Sequence, residues 1–395
     1  MIPRKEDRVQ SGRPYTLKEL VFYFLRLGYL GFGGPIALVG YMNRDLVERR
    51  RWITEDDYKE GLALAQLAPG PLAAQLGIYI GYVDYKILGA TLAGIAFVLP
   101  SFVMVVLLGW AYKIYGGLSW MQAVFYGVGA SVIGIIAHSA YKLTRKTIGA
   151  DKLLWAIYLA TAIVTVVTET EYILSFLLAG IVYWLTKAPP RFLKSPRLSS
   201  FFIMPFSSFL WGDPPATNET FLKIALFFTK AGAMVFGSGL AIVPFLYGGV
   251  VKEYGWMEAR QFVDAVAVAM ITPGPVVITV GFIGFLAAGF SGATVAALAT
   301  FLPCYLFTII PAPYFKKYGR RPGLNAFVTG VTSAATGAIA GAVVVLARRS
   351  IIDWPTALFA AASLLVLFKS KKISEPLIIL IAAVLGLLVY PHMFH

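Results

Sequence analysis

The sequence predicts an all-α, polytopic integral membrane protein built from two inverted repeats. Of its 395 residues, 58% are hydrophobic and only 14% are charged, whereas an ordinary soluble domain carries roughly 25% charged residues. Apolar runs long enough to cross a bilayer, such as 88–109 and 292–313, recur along the chain. The third observation is an internal repeat, which predicts that the two halves share one fold.

Residues 22–81 and 226–285 show the same pattern when they are offset by 204 positions. The matched positions are Arg26 and Lys230, Gly28 and Gly232, Phe32-Gly33 and Phe236-Gly237, Trp52 and Trp256, and Pro69-Gly70-Pro71 and Pro273-Gly274-Pro275. A basic residue, an aromatic residue and a Pro-Gly-Pro in one register indicate a duplication. We therefore expect a first repeat over 1–187, a linker over 188–219 that is rich in Pro, Ser and basic residues, and a second repeat over 220–395.

Each half begins with a helix that glycines interrupt, predicted at 17–42 and 220–248. A pair of short helices then flanks each Pro-Gly-Pro, at 55–68 with 71–84 and at 259–272 with 275–289. Four longer helices complete each half, at 87–113, 120–143, 152–168 and 171–187 and at 292–313, 324–347, 354–369 and 374–391. Small residues at 127–134 and 330–341 predict close helix packing within the bundle or between the repeats.

The short helices determine the predicted topology. A helix of about 13 residues reaches about 20 Å, which is less than the ~30 Å hydrocarbon core. Each pair is therefore expected to form a re-entrant hairpin, which leaves five crossings per half and inverts the second half. Basic loops such as Arg49–Arg51 then share one face, the cytoplasmic candidate. The basic segment 1–18 falls on the other face unless helix 17–42 folds back at its glycines, so the orientation stays open.

Composition also excludes several classes of function. The net charge is +14, but the basic residues lie in short loops between apolar runs, so nucleic acid is not an expected partner. A single cysteine, Cys304, excludes an intramolecular disulfide and a cysteine metal cluster. Two of the three histidines lie at the extreme C-terminus. We therefore expect no metal, no cofactor and no catalytic centre, and the protein is not expected to be an enzyme.

Helix breaks within a membrane predict the candidate site. Their free backbone groups need protein, water or a ligand as partners. A new helix after each Pro-Gly-Pro directs free N–H groups inward, those of Leu72, Ala73 and Ala74 and of Val276, Val277 and Ile278, and helix N-termini bind anions. The predicted anion-binding backbone is Gly33, Gly34, Pro69, Gly70, Pro71, Leu72, Ala73, Gly237, Ser238, Gly239, Pro273, Gly274, Pro275, Val276 and Val277. The alternative is a set of kinks that neighbouring helices satisfy.

Charged and polar side chains extend this candidate site. Arg26 and Lys230 lie inside apolar helices, where a charge costs at least ~2.5 kcal/mol. They are predicted ligands of a dianion, with snorkelling to the interface as the alternative. The neutral candidates are Gln66, Gln75, Ser238, Thr272 and Thr279, which could instead satisfy the broken backbone. Glu60 and Asp264 are interpreted as interfacial acids rather than proton-coupling groups.

At these residues the chain resembles the chromate transporter (chromate ion transporter, CHR) family. The resemblance runs from about 17 to 391 and rests on the motifs Gly31-Phe32-Gly33-Gly34-Pro35, Gln66-Leu67-Ala68-Pro69-Gly70-Pro71, Gly81-Tyr82 and Phe97-Val98-Leu99-Pro100-Ser101-Phe102. It implies the long two-domain form, which exports chromate across the inner membrane of bacteria or archaea. The second half departs from the motifs where Ser238, Met270 and Cys304 replace Gly34, Gln66 and Ser101. We therefore expect an asymmetric site.

The expected function is secondary transport of tetrahedral oxyanions, with chromate efflux across the cytoplasmic membrane, and hence chromate resistance, as the first candidate. Sulfate has the same shape and charge, so a transporter of sulfate or of a related dianion is the alternative, as is an anion channel. The expected partners are chromate, with sulfate as the alternative, and the lipid bilayer. A homodimer, the direction of transport and the coupling ion stay open.

Overall fold

A computed structural model describes residues 14–31, 34–115, 118–169, 173–189, 219–235, 239–315, 322–370, 373 and 375–394. Within these residues the secondary structure is helical. The first half contains α1 (Leu17–Leu30), α2 (Gly34–Met42), α3 (Glu55–Leu67), α4 (Leu72–Tyr115), α5 (Ser119–Thr147), α6 (Lys152–Thr168) and α7 (Ile173–Lys187). The second half contains α8 (Glu219–Ala233), α9 (Val243–Tyr247), α10 (Ala259–Ile271), α11 (Thr279–Ile309), α12 (Pro322–Ser350), α13 (Trp354–Lys369) and α14 (Glu375–Phe394).

Local sequence explains where the short helices begin. Thr16 caps α1 through a reciprocal pair of hydrogen bonds with Glu19, and the Thr54 side chain accepts a hydrogen bond from the Asp57 N–H at the start of α3. α1 stops short of a membrane's thickness because Gly31 interrupts it. α2 is also short, and at its end the backbone changes to a π-helical segment, Asn43–Arg49. The glycine-rich interruption predicted within 17–42 is therefore confirmed.

The first segment folds back on itself. Tyr15, before α1, stacks on Trp52, beyond α2, with ring centroids 4.8 Å apart. The hydroxyl of Tyr85 donates to the Tyr15 carbonyl at 2.6 Å, so all three residues lie at one end of the bundle. Residues 17–42 are thus not a crossing, and the count of five crossings per half is wrong, because the glycine break lets α2 return beside α1. The alternative, folding back at the glycines, is the observed one.

The Pro-Gly-Pro segments form the re-entrant hairpins that the short helices predict. After Pro69-Gly70-Pro71 the chain runs through a short arm of α4 and reverses at Lys86, whose φ is 51°. Gly81 and Gly89 pack backbone to backbone across this reversal. In α11 the reversal lies at Gly289, with φ of 65°, and Gly284 and Gly292 make the equivalent contact. Each hairpin enters and leaves at one end of the bundle.

The long arms of α4 (87–115) and α11 (290–309) cross each other in opposite directions. Thr91, early in the first arm, hydrogen-bonds at 2.6 Å to Tyr305, late in the second. Phe102, farther along the first arm, packs edge-on against Phe290 at the start of the second, with centroids 6.4 Å apart. Both arms belong to helices that are long and apolar enough to span a membrane. Equivalent spanning helices that run antiparallel make the repeats inverted, as the fold class predicts.

The two repeats also exchange their last helices. Gly127 of α5 packs on the Ala382 carbonyl of α14, and the equivalent Gly330 of α12 packs on the Ala179 carbonyl of α7. Gly134 likewise meets α13, and Gly337 meets α6. The pair α6–α7 therefore covers α12 of the second half, while α13–α14 covers α5 of the first. The small-residue runs do pack between the repeats, because their missing side chains let the helix backbones touch.

The two ends of the bundle differ. One end, which we call the basic face, holds Tyr15, Trp52 and the ion pair between Asp151 and Lys187 at 2.7 Å. The other, the distal face, holds Glu169, which pairs with Lys252 at 2.6 Å and with Arg349 at 3.1 Å. Glu169 directly follows α6 of the first repeat. Its two ion pairs therefore join this repeat to the π-helical segment after α9, Gly248–Glu253, and to α12 of the second repeat. In the described part of the chain the distal face is therefore tied across the repeats.

Candidate functional site

The four helix breaks meet in two equivalent pairs. The Gly70 N–H of the first Pro-Gly-Pro donates to the Val235 carbonyl, where α8 has ended, at 2.6 Å. The Gly274 N–H of the second donates to the Gly31 carbonyl, where α1 has ended, at 3.0 Å. Each bond is the image of the other under the repeat offset, which is the pattern of a two-fold axis. The axis therefore passes between the breaks, and part of their free backbone is satisfied across it.

Both central glycines have backbone conformations that side chains disfavour. The φ angle is 145° at Gly70 and 94° at Gly274. A Cβ atom at Gly70 would lie 2.7 Å from the Gln75 amide, and one at Gly274 would collide with the Ser101 hydroxyl. The glycines are thus required by conformation and by space, and their N–H groups are held in place by this close packing.

Polar side chains differ between the two breaks. The Ser101 hydroxyl donates to the Pro273 carbonyl at 2.7 Å, whereas its repeat equivalent Cys304 places sulfur beside Gly70. The Gln75 amide donates to the Pro69 carbonyl at 2.8 Å, and its own Oε1 is buried without a partner in the described structure. The Thr272 hydroxyl bonds within its own helix, to the Ala269 carbonyl. The replacement of Ser101 by Cys304, from which an asymmetric site was expected, therefore gives the two helix breaks different side-chain neighbours.

The helices after the two breaks start differently. α4 starts at once at Leu72, and the Gln75 N–H already donates to the Pro71 carbonyl. In the second half a single 3-10 turn, Val276–Ile278, precedes α11. The Ile278 N–H is used within that turn, by the Pro275 carbonyl at 3.0 Å. Its predicted role as a free donor is therefore wrong, and the first turns at Leu72–Ala73 and Val276–Val277 remain as candidates.

Other predicted site residues are only partly brought together. Gly239 is buried, and a Cβ there would lie 3.4 Å from the Val277 side chain, so it adjoins the second break. Gly34 is the first residue of α2. Gln66 is exposed, whereas its equivalent Met270 is buried. Gly33, Gly237 and Ser238 lie outside the described residues, so their predicted role stays a prediction.

A cleft of about 600 Å³ leads from the basic face toward the first break. Its inner end is lined by Leu27 and Gly31, whose carbonyl accepts the Gly274 N–H. Its remaining walls are Tyr23, Arg26, Leu30, Tyr41, Arg44, Asp45, Arg49 and Arg50. Arg26 is exposed and lines this cleft, while Lys230 is half-buried and does not line it. The two predicted cations are not brought to one cavity.

From the sequence, Arg44, Arg49 and Arg50 are interpreted only as basic loop residues that indicate the cytoplasmic side. The repeat offset carries a further signal, since the second half has Gly248, Glu253 and Tyr254 at the equivalent positions. A cluster that appears in one repeat only is not explained by the shared fold. That comparison would have identified the cleft side chains.

Of the acidic pair Glu60 and Asp264, Asp264 differs from its prediction. Asp264 is 3% exposed, and its carboxylate accepts a hydrogen bond from the Tyr112 hydroxyl, across the repeats, at 2.8 Å. It is therefore not an interfacial acid, because α10 is packed among other helices. Glu60 is half-buried on α3 and hydrogen-bonds to Tyr79 of its own repeat.

Together, the inverted repeats, the re-entrant hairpins and the meeting of four helix breaks at the two-fold axis define a polytopic membrane protein of the secondary-transporter class. Comparison with known proteins gives the particular group. The model of the chromate transporter family matches twice, over residues 18–184 and 222–387. The chain belongs to the chromate transporter family.

Full-length relatives agree with this assignment. A chromate transport protein of Cupriavidus metallidurans is 64% identical over 98% of this chain and 96% of its own. A probable chromate transport protein of Synechococcus elongatus is also 64% identical, over 95% and 96% of the two chains. A chromate transport protein of Pseudomonas aeruginosa is 28% identical over 96% and 94%. No solved structure matches the chain.

Proposed function

We propose that this protein is a secondary transporter that exports chromate across the cytoplasmic membrane, and so confers chromate resistance. The observation that carries the proposal is the reciprocal pair of hydrogen bonds from Gly70 and Gly274, which holds four helix breaks around one axis. Broken helices at the interface of inverted repeats are where secondary transporters bind their substrates. Membership of the chromate transporter family and the two relatives at 64% identity, which are named as a chromate transport protein and a probable one, support chromate as the substrate.

The proposed binding site lies between the breaks. The N–H groups at Leu72–Ala73 and Val276–Val277 carry the positive ends of two helices, and a dianion gains from both. Gly33, Gly34, Gly237, Ser238 and Gly239 from the first-helix breaks complete the backbone donors. Arg26 is the proposed charged ligand from the basic side and Lys230 its counterpart from the distal side. Polar contacts are proposed from Gln66, Gln75 and Thr272.

Charge distribution supports an orientation for export. Because residues 17–52 fold back, Tyr15 shares an end with Trp52, so the described chain begins on the same face as Arg49–Arg51. Arg145, at the end of α5, and Lys187, at the end of α7, lie at that end too. Basic loops stay in the cytoplasm. The basic face is therefore proposed to be cytoplasmic, with the arginine cleft facing the substrate to be exported.

Sulfate is the second candidate substrate, because helix termini and guanidinium groups recognise charge and tetrahedral oxygens that both anions share. The test is flux of radiolabelled chromate and sulfate in proteoliposomes at controlled pH and membrane potential. The proposal expects accumulation against a gradient for chromate, with Arg26→Ala reducing the rate at least tenfold and Arg51→Ala, outside the cleft, near wild type. Downhill flux alone would indicate a channel, and unchanged flux in Arg26→Ala would remove the charged-ligand role.

A further inference from the structure

The arginine cleft has a composition that packing does not explain. Four arginines and one aspartate line it, which leaves three positive charges in excess. Arg44 and Arg49 share Asp45, at 3.3 and 3.7 Å. Arg26 and Arg50 have no carboxylate partner within the described part of the chain. A concentration of like charge in one cleft costs folding energy through repulsion, which a bound anion would relieve.

The four arginines of the cleft are all exposed. The Arg49 side chain is 68% exposed at the mouth. Arg50 is held over the rings of Trp52 and Tyr23, with its Cζ atom 4.6 and 5.6 Å from the centroids. Arg26 lies on α1, one turn before Gly31 and the helix break. The cleft therefore presents an accessible row of cations, from the π-helical segment Asn43–Arg49 to the helix that precedes the first break.

One residue of the cleft lining also carries a buried hydroxyl without a partner in the described structure. Tyr23 lines the cleft and is 7% exposed, yet its hydroxyl has no hydrogen-bond partner in the described structure. An unpaired buried hydroxyl costs about 1–3 kcal/mol, so an acceptor at this position would recover that energy. An oxyanion oxygen is such an acceptor. The equivalent residue in the second half is Phe227, which lacks the hydroxyl.

The second repeat shows that the fold does not need these groups. At the positions equivalent to Arg44, Arg49 and Arg50 it has Gly248, Glu253 and Tyr254, and only Lys230 keeps a positive charge. The same backbone hairpin therefore forms without the arginines. Their presence on one side only makes the two approaches to the central axis chemically unequal.

We infer that the cleft is a separate, one-sided capture site for doubly charged inorganic oxyanions. Arg44, Arg49 and Arg50 gather the anion at the basic face, Tyr23 donates to one of its oxygens, and Arg26 receives it at the inner end. Guanidinium forks suit tetrahedral oxyanions because two N–H groups can bond two oxygens at once. The identity of the ligand rests on the proposed function. What the capture site adds is a second anion site, outside the four helix breaks, that takes up the anion from the basic face only.

The test compares chromate uptake into everted and right-side-out membrane vesicles, which present the two faces of the protein separately. The variants are Arg44→Gln/Arg49→Gln and Tyr23→Phe, with Arg51→Gln as the matched control, since Arg51 is adjacent in sequence but does not line the cleft. From the basic face we expect the KM of the double variant to rise about tenfold at low ionic strength, with little change in kcat and a smaller effect at 0.15 M salt, where screening lies near 8 Å. From the distal face KM stays unchanged.

Tyr23→Phe provides a readout that surface charge does not move. We expect its KM from the basic face to rise a few-fold, while its melting temperature stays equal or rises because no protein hydrogen bond is lost. The inference is overturned if KM is unaltered in both variants, if Arg51→Gln has the same effect as the double variant, or if KM changes equally from the two faces.

Equilibrium binding separates this inference from the proposed function. Titration calorimetry of the purified protein with sodium chromate and sodium sulfate measures anion binding without transport. If the wild type transports neither anion, export is the wrong function, and the capture site is judged by binding alone. Weaker binding in the double variant than in Arg51→Gln would then support the site, and equal binding would exclude it.

Discussion

At the scale of single residues, the contact between the two Pro-Gly-Pro segments and the ends of α1 and α8 depends on tightly packed groups. Gly274 has a φ of 94°, its N–H holds the Gly31 carbonyl, and the Ser101 hydroxyl occupies the space where a Cβ would lie. The same hydroxyl satisfies the Pro273 carbonyl at 2.7 Å. One substitution here therefore affects a backbone conformation, a bond between the repeats and a buried carbonyl together.

Replacing this glycine should be costly. Gly274→Ala is expected to destabilise the protein by about 1–3 kcal/mol, because the added Cβ strains the positive φ and displaces Ser101. Thermal unfolding in detergent measures the loss. The matched control is Gly40→Ala on α2, where nothing lies within 4 Å of the added atom. Equal melting temperatures for the two variants would contradict the packing described at the centre.

A second residue-scale expectation concerns pH at the basic face. The hydrogen bond and ion pair from Lys187, with the N–H groups of Leu153 and Leu154, lower the pKa of Asp151 to about 2. The unfolded value is about 3.9, so this carboxylate stabilises the fold fully above about pH 4 and loses that contribution as pH falls toward 2.

Asp151→Asn keeps a side-chain oxygen as cap of α6 but removes the charge. We expect it to melt below wild type by a constant margin between pH 5 and 7, and the margin to shrink as the pH is lowered from about 4. Melting curves in a detergent stable to acid give the comparison. A margin that grows at low pH would mean that the carboxylate is not stabilising.

At the scale of elements, equivalent helices have unequal surroundings. α10 is buried along 262–270, whereas its equivalent α3 leaves Gln66 exposed and Glu60 half-buried. On the distal side the ion pairs of Glu169 tie the repeats together, and on the basic side the arginine cleft stands open. The described conformation is thus closer packed at one face, which is the difference that rocking of inverted repeats would exchange.

Two tyrosines test this inequality. Tyr112→Phe removes the hydroxyl that donates to Asp264 at 2.8 Å. We expect a loss of about 1–3 kcal/mol, because the buried carboxyl loses a partner. Tyr79→Phe, which removes the hydroxyl beside the half-buried Glu60, should cost less, since water can replace it. Unfolding in detergent measures both, and an equal or reversed order would argue against the difference in burial.

At the scale of the whole molecule, most of the architecture could be predicted from sequence. The repeat offset located both hairpins, because glycine and proline have few substitutes where a backbone turns inside a membrane. The inversion was correct, but the count of crossings behind it was not. Aromatic stacking of Tyr15 on Trp52 fixes the return of α2, and no periodicity along the chain encodes such a distant contact. Burial of Asp264 was missed for the same reason, since its partner Tyr112 lies in the other repeat.

Inversion itself can be tested with cysteine labelling. In a Cys304→Ser background, Ala150→Cys and Ile352→Cys place single thiols in exposed loops that nearly correspond between the repeats. We expect an impermeant maleimide to label them from opposite sides of sealed vesicles, because equivalent loops of inverted repeats face opposite compartments. Labelling of both from one side would show that the repeats are parallel.

The exchange of α6–α7 and α13–α14 between the repeats has a consequence for biosynthesis. The glycine surface of α5 is made early, yet the helices that cover it, over 354–394, are translated only after much of the second repeat. The first half therefore enters the membrane before its closest contacts exist, and α5 is covered only after α13 and α14 have been made. Contacts so distant in sequence slow folding, so a truncation near the C-terminus should impair a repeat that was completed some 200 residues earlier.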